Sequence, residues 1–403
     1  MKDKVYKILS YVLVAAVAAT TAVLCCTLSG NFAARHEAAK KQEVIDQLTS
    51  NSKLDELQAK IYECFIGEYD QQKMDDAAAA AIVQALDDPW SYYMTAEQFG
   101  GYQDTMNNVT VGIGITIEAH VDGLGYRILS VTQNSPAYEA GLQKNDIITA
   151  ANGTSIAGAD YEVVEGLVKG EEGTKVDLTI LRAEQELSFQ VERKSFQLPV
   201  ATHRMLEGNI GLITIENFDA RCADETIAAV ESLRKQGAVA LIFDVRNNPG
   251  GYKHELVNVL DYLLPEGVIF KSEDYLGNTA EDRSDASFVD LPMAVLVNGS
   301  SYSAAEFFAA ALNDYDAAVV VGQKTFGKGY FQTTFELSDG SAVNLSIGKY
   351  YTPKGVSLAG VGLTPDEEVA VDDLTAYYIA VNALEPEEDP QIMAAVNALK
   401  STN

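Results

Sequence analysis

Residues 294–312 read A-V-L-V-N-G-S-S-Y-S-A-A-E-F-F-A-A-A-L. Ala294 to Val297 is a short apolar run, Asn298 to Tyr302 supplies turn residues, and an apolar stretch of helical length follows. This pattern predicts a buried strand, a turn, and a helix beginning at Ser303. A second apolar strand, Ala317 to Val321, leads into G-Q-K-T-F-G-K-G-Y-F-Q, which sets Lys328 among glycines and aromatics. Further back lie a strand over Asn209 to Ile215, a helix over Ala223 to Gln236 and a nearly all-apolar strand over Ala238 to Val245. Continuous apolar strands alternating with helices predict a sheet covered on both faces.

A different pattern precedes this core. From about Asn107 short alternating runs, V-G-I-G-I-T-I, Y-R-I-L-S-V, D-I-I-T-A-A-N-G and K-V-D-L-T-I-L-R, are punctuated by glycine turns. They predict a small β module with one short helix in S-P-A-Y-E-A-G-L and a longer one from Asp160 to Val168. Earlier still, Leu57, Ile61 and Phe65 follow helical spacing, and Asp75 to Leu86 forms an alanine-rich helix. L-D-D-P-W-S-Y-Y-M then makes a turn whose Trp90, the only tryptophan, reads as a packing plug between domains.

The 403 residues require more than one domain. With 58 acidic against 29 basic residues the net charge is -29, which opposes nucleic acid and anionic lipid and serves solubility. Lys2, Lys4 and Lys7 precede an uncharged run from Ile8 to Leu28, long enough as a helix to span a bilayer core of roughly 30 Å. The lysines should stay inside, placing the rest of the chain outside the cytoplasm. An uncleaved signal anchor is the first reading, and a cleaved secretion signal the alternative. A lipid-modified Cys25 or Cys26 fits less well, because Leu24 and Cys25 are poor residues before a modified cysteine. Beyond the apolar run only Cys64 and Cys222 remain, which read as incidental thiols rather than a disulfide framework.

Ser303 at a helix start and Lys328 in its loop read as a nucleophile and an unconventional base. A serine hydroxyl needs a base within hydrogen-bond reach. The four histidines, His36, His120, His203 and His254, lie in no G-x-S-x-G or H-E-x-x-H setting, and Asn258 stands where the second zinc ligand would be. No metal is therefore called for. A lysine replaces histidine if burial lowers its pKa by several units, and Phe326, Tyr330 and Phe331 supply apolar cover. Gln332 could orient the amine without adding charge. Arg246-Asn247-Asn248-Pro249-Gly250-Gly251 follows the Ala238 to Val245 strand, so the Gly250 amide could hold an oxyanion together with that of Ala304. Gly322 to Gly329 also approaches a phosphate-binding loop, but Gly329 stands where the magnesium-binding Ser or Thr belongs, so no nucleotide cofactor is assigned.

In order, the small β module, D-V-R-N-N-P-G-G, V-L-V-N-G-S-S-Y-S-A-A-E and V-G-Q-K-T-F-G-K-G-Y-F-Q resemble the bacterial carboxyl-terminal processing peptidases, Ser-Lys proteases that carry a PDZ domain. The likeness runs from about Leu54 to the end and includes Y-Y-T-P-K-G and G-V-G-L-T-P-D, residues 360–366. It places the catalytic serine on Ser303, the lysine on Lys328 and the supporting glutamine on Gln332. It also matches Asp314, read here as a helix C-cap, and Glu306, read as serving the helix start. Gly112, Ile113, Gly114 and Ile115 become the loop that captures a peptide carboxylate. Tyr302, Tyr330 and Phe331 replace smaller family residues and would reshape the groove without removing a catalytic group.

The expected fold is multidomain α+β. Residues 1–30 form a cytoplasmic tip and transmembrane anchor, 31–103 a helical region, 104–196 a PDZ domain, 197–371 the protease core and 372–403 a helical tail. The expected function is a membrane-anchored extracytoplasmic serine endopeptidase of a bacterial membrane. It takes protein or peptide substrates through accessible carboxyl termini and needs no cofactor, metal or nucleic acid. The PDZ domain could gate it, and helices before the PDZ domain and in the tail could form a homodimer. The rival from another class is a catalytically silent PDZ scaffold that recruits membrane or envelope proteins.

Overall fold

The computed structural model describes residues 53–401. The apolar run from Ile8 to Leu28, and the anchor or signal read from it, lie outside the described residues. Among the described residues no helix is long and apolar enough to cross a membrane.

The chain divides into two compact units after Ala78. In the first, α1 (Lys53–Cys64) meets the beginning of α2 (Gln71–Gln84), where Gln58 Nε2 donates to Asp75 Oδ1 at 2.7 Å. Leu57 and Tyr62 of α1, and Phe65 just after it, are exposed, as is the free thiol of Cys64.

The second unit carries everything the site needs. It opens with β1 (Tyr92–Met94) and α3 (Ala96–Met106). A capping box starts α3: Thr95 Oγ1 accepts from the Gln98 N–H, and Gln98 Oε1 accepts from the Thr95 N–H. The PDZ-like module follows as β2 (Val109–Gly112), β3 (Ile115–Ala119), β4 (Tyr126–Val131), α4 (Pro136–Ala140), β5 (Ile147–Ala151), β6 (Thr154–Ser155), α5 (Tyr161–Val168), β7 (Lys175–Arg182), β8 (Gln185–Glu192) and β9 (Lys194–Gln197). Its sheet runs β3-β4-β5-β7-β8, with β6 on β5, while β2 and β9 pair antiparallel where the chain enters and leaves. Alternation along β4, β5 and β7 buries Ile128, Ile148, Leu178 and Ile180 against Val164 of α5. The outer edge of β3 has no strand partner among the described residues.

The core comprises β10 (Ala201–Leu206), β11 (Ile210–Ile215), α6 (Cys222–Lys235), β12 (Ala240–Asp244), α7 (Lys253–Leu263), β13 (Gly267–Asp274), β14 (Thr279–Ser284), β15 (Met293–Val297), α8 (Ala304–Asp314), β16 (Ala318–Gly322), β17 (Tyr330–Glu336), β18 (Ala342–Tyr351), β19 (Glu367–Glu368), α9 (Asp373–Ala380) and α10 (Pro390–Ser401). The main sheet runs β10-β11-β12-β15-β16-β19, parallel except for β10. Helices α6, α7 and α8 bury one face of it and α10 the other. This accounts for the continuous apolar runs of β12 and β15, in which every residue is buried.

Ile392, Ala395, Val396 and Leu399 of α10 are buried against this sheet. The face of α10 that carries them is thereby spent within the chain, whereas Leu374 and Tyr377 of α9 are exposed. Buried Arg246 fixes the tail: it grips Asp244 with two donors, at 2.9 and 2.6 Å, and reaches Gln391 Oε1 at 2.9 Å and Asp389 Oδ2 at 2.8 Å. A second, antiparallel sheet, β1-β18-β13-β14 with β17 on β18, extends the unit. The sequence did not announce it: β14 (T-A-E-D-R-S) is nearly all polar, and β13 and β17 are only partly buried.

Candidate active site

Helix α8 is buried from Ala304 to Leu312, so its first residue rests on a rigid support. Ser303 precedes it with φ 58° and ψ -125°, a conformation that costs a non-glycine residue roughly 1–3 kcal/mol. The strain is held by Glu306, whose side chain is 0% exposed. Glu306 Oε2 accepts the N–H groups of Ser303 at 3.0 Å and Lys328 at 2.8 Å; Oε1 accepts Thr325 Oγ1 at 2.6 Å and the Gly327 N–H at 2.7 Å. One carboxylate therefore clamps the serine turn to the lysine loop. Burial pushes its pKa above the usual range, against the pull of those four donors. Serving the helix start was too small a role for it.

Ser303 and Lys328 line one cavity of about 1220 Å³. Lys328 Nζ lies 4.3 Å from the centre of the Trp90 ring and 5.9 Å from that of Tyr302, the residue before the serine. Burial lowers the lysine pKa, and the carboxylates of Asp88 and Glu306 resist the shift. Trp90 also packs against Phe326 and Tyr302, with ring centres 5.6 and 6.3 Å away. Trp90 does pack on the core, as read from the sequence, and its ring is in addition a wall of this cavity and a cation–π partner of the lysine. The strand pair β1·β18 delivers it there, because the Trp90 carbonyl accepts Asn344 Nδ2 at 3.1 Å.

Gln332 lines the same cavity, but its Nε2 donates to Ser346 Oγ at 3.0 Å and the Tyr330 carbonyl at 3.2 Å, not to the lysine loop. Gly250 packs against the serine turn. A Cβ on it would lie 2.7 Å from Ser303 Cβ and 2.9 Å from the Ala304 nitrogen. The Gly250 N–H donates to Asn248 Oδ1 at 2.8 Å, whereas the Ala304 N–H donates to no described residue. Of the two oxyanion candidates only Ala304 presents an open donor in this conformation.

The remaining sequence candidates sit elsewhere. Asp314 ends α8 and accepts the Lys354 N–H at 2.8 Å, whereas the C-cap residue is Tyr315. Gly112 closes β2, Ile113 is buried, Gly114 turns at φ 80° and Ile115 opens β3. A Cβ on Gly114 would meet Ser135 Cβ at 2.3 Å, which reserves the position for glycine. The carbonyls of Ile113 and Gly114 accept Ala137 and Thr132, while their N–H groups donate to no described residue. The phosphate-loop reading of Gly322 to Gly329 fails on topology, because the strand β17 follows it where such a loop requires a helix. Cys222 is buried and unpaired.

Residues 209–369 match peptidase family S41, and residues 127–182 match the PDZ domain. A probable CtpA-like serine protease of Staphylococcus aureus (strain COL) is 33% identical over 344 residues, which cover 83% of this chain and 68% of that protein. The chain belongs to peptidase family S41. A second probable CtpA-like serine protease, from Staphylococcus epidermidis (strain ATCC 12228 / FDA PCI 1200), is 34% identical over 77% of this chain, and the match spans 63% of that protein's length. The solved structure of a putative S41 protease from Bacteroides fragilis NCTC 9343 shares the fold at a TM-score of 0.60 and 19% identity, covering 80% of this chain and 90% of that one.

For this S41 chain, two expected outcomes follow from the geometry. If the neutral amine of Lys328 is the working base, kcat/KM rises with pH and levels off at a midpoint below the ordinary lysine value of 10.5, since burial has lowered the pKa. A rate profile still climbing above 10.5 contradicts this. Gly250→Ala forces a Cβ into backbone at φ 92° and should cost about 100-fold or more in kcat, as misplacement near 1 Å does. Steady-state kinetics on the purified variant checks it.

Proposed function

We propose that the chain is a serine endopeptidase in which Ser303 attacks a peptide carbonyl and Lys328 is the general base and then the general acid. The carrying observation is that one buried carboxylate, Glu306, holds the backbones of both residues at a cavity that depresses the lysine pKa. Neutral Nζ takes the Ser303 Oγ proton as Oγ bonds to the carbonyl carbon. The Ala304 N–H receives the oxyanion, and the Gly250 N–H joins it after release from Asn248 Oδ1. Protonated Lys328 returns the proton to the leaving amine, and water then hydrolyses the acyl-enzyme. Gln332 would have to leave Ser346 to orient the amine, and Nζ would have to leave the Trp90 face. In this reading both rearrangements precede proton transfer.

The open edge of β3 and the free amides of Ile113 and Gly114 suit a substrate carboxyl terminus added as a strand. Lys144 of the PDZ domain binds the tail at the Ala383 carbonyl (3.2 Å) and Glu385 (2.7 Å), so occupancy of the module could be felt in the core. The working location is the outer face of a bacterial membrane, through the anchor read from the sequence, with a cleaved secreted form as the alternative.

The test is digestion of an unstructured protein by the full chain in mild detergent, with and without a peptide ending in an apolar residue. Cleavage by wild type and none by Ser303→Ala supports the reading. Peptide binding without any cleavage would favour the silent scaffold. A homodimer would rest on α1, where Leu57 and Tyr62 are exposed, or on tail helix α9, where Leu374 and Tyr377 are exposed. Sedimentation should show self-association that Tyr62→Asp weakens, and a monomer at all concentrations would remove the idea.

A further inference from the structure

Asp219 is a carboxyl the mechanism above does not use. It is 7% exposed and lines the cavity of Ser303 and Lys328, and no side chain or backbone group among the described residues donates to its carboxyl. Its backbone is fixed: the Asp219 N–H donates to Asn217 Oδ1 at 3.0 Å, and a Cβ on Gly251 would lie 2.6 Å from the same nitrogen. Next to it, the Phe218 N–H donates to the Gly250 carbonyl at 2.7 Å, and the Phe218 carbonyl accepts the Tyr252 N–H at 2.8 Å. Asp219 is therefore held directly beside the glycine that packs on Ser303.

Among the described residues no cation neutralises it. Lys253 pairs with Asp282 at 2.8 Å, the two Nη groups of Arg221 go to Glu225 and the Leu198 carbonyl while its buried Nε donates to no described residue, and the Lys328 amine lies over Trp90. Asp104 and Glu336 add negative charge to the cavity wall. Burial, and then the neighbouring Glu255, push the Asp219 pKa up to about 7. The carboxyl oxygens face the cavity without a protein donor, and a cation entering the cavity would supply a partner there.

We propose that Asp219 is a specificity residue that pairs with a lysine or arginine side chain of the substrate next to the scissile bond. This inference rests on the peptidase reading and adds a substrate class to it. The site would favour basic residues within about two positions of the cut, since a long cationic side chain is needed to reach a carboxyl set back beside Gly251.

The test is a cleavage-site profile. The full chain, as wild type, Asp219→Asn, Asp219→Glu and Ser303→Ala, digests casein, and the product ends are read by mass spectrometry. The expected result is enrichment of Lys and Arg at one fixed position in wild type. Relative to apolar residues in the same digest, that enrichment falls at least tenfold in Asp219→Asn and returns in Asp219→Glu. The ratio within a digest does not depend on total activity, and for a lysine-bearing peptide the loss should appear mainly in KM. Matching residue preferences in wild type and Asp219→Asn, with Ser303→Ala silent, would overturn this inference and leave the peptidase reading standing. Equal cleavage by Ser303→Ala would remove both.

Discussion

Lys328→Ala should lower kcat by about 10³–10⁴-fold, the loss of a general base and of the acid it becomes, with little change in folding stability. That is about 4–5.5 kcal/mol of transition-state stabilisation. The residual rate of the variant should not follow the wild-type rise with pH, because no second base stands in for the amine, so the loss is largest on the wild-type plateau. Lys328→Arg separates charge from basicity: a guanidinium keeps the positive charge over Trp90 but cannot lose its proton, so it should be as inactive as alanine. Single-turnover kinetics of the two variants checks this, alongside thermal denaturation to show that the fold survives. An active arginine variant would mean that the lysine acts only as a charge.

Glu306→Gln should damage both folding and turnover. The carboxylate receives four donors and offers nothing in return, so it must act as an acceptor at both oxygens. A glutamine has one acceptor oxygen, and its amide group would face two donors. Thr325 Oγ1 can rotate to accept, but the backbone N–H beside it cannot. Leaving one buried N–H unsatisfied and losing the charge-assisted bonds should cost about 3 kcal/mol. With the clamp loosened, the strained Ser303 backbone can relax away from φ 58°, and kcat should fall by about 100-fold. Chemical denaturation and steady-state kinetics on the same preparation measure the two effects. Unchanged stability would mean the four bonds are not the clamp described.

The parts of this arrangement legible in the sequence are those that follow chain order. The apolar runs of β12, β15 and β16 announce a covered parallel sheet because burial on both faces removes alternation. Ser303 is readable as a helix start because turn residues separate an apolar strand from an apolar helix. Lys328 stands out because glycines flank it. Glu306 was visible as a residue one turn into α8, but its grip on Thr325, Gly327 and Lys328 depends on the return of a loop some twenty residues later. The contact of Trp90 with Lys328 depends on β1 pairing with β18, a long-range partnership for which a three-residue strand carries no periodic signal. Asp219 gave no signal at all, since one carboxyl after a strand is ordinary until the cavity around it is seen. The capture of the Gly250 N–H by Asn248 was not legible, because it is the local side-chain-to-backbone competition that Asn offers in any turn.

The most direct measurement is covalent trapping of the nucleophile as a function of pH. The full chain is treated with a serine-reactive fluorophosphonate, and the modified residue and its rate are read by peptide mass spectrometry. The expected result is a single adduct on Ser303, formed at a rate that rises to a plateau at a midpoint below 10.5 and is abolished by Lys328→Ala. An adduct on another serine, or a Ser303 adduct whose rate is the same without Lys328, would contradict a Ser303–Lys328 peptidase.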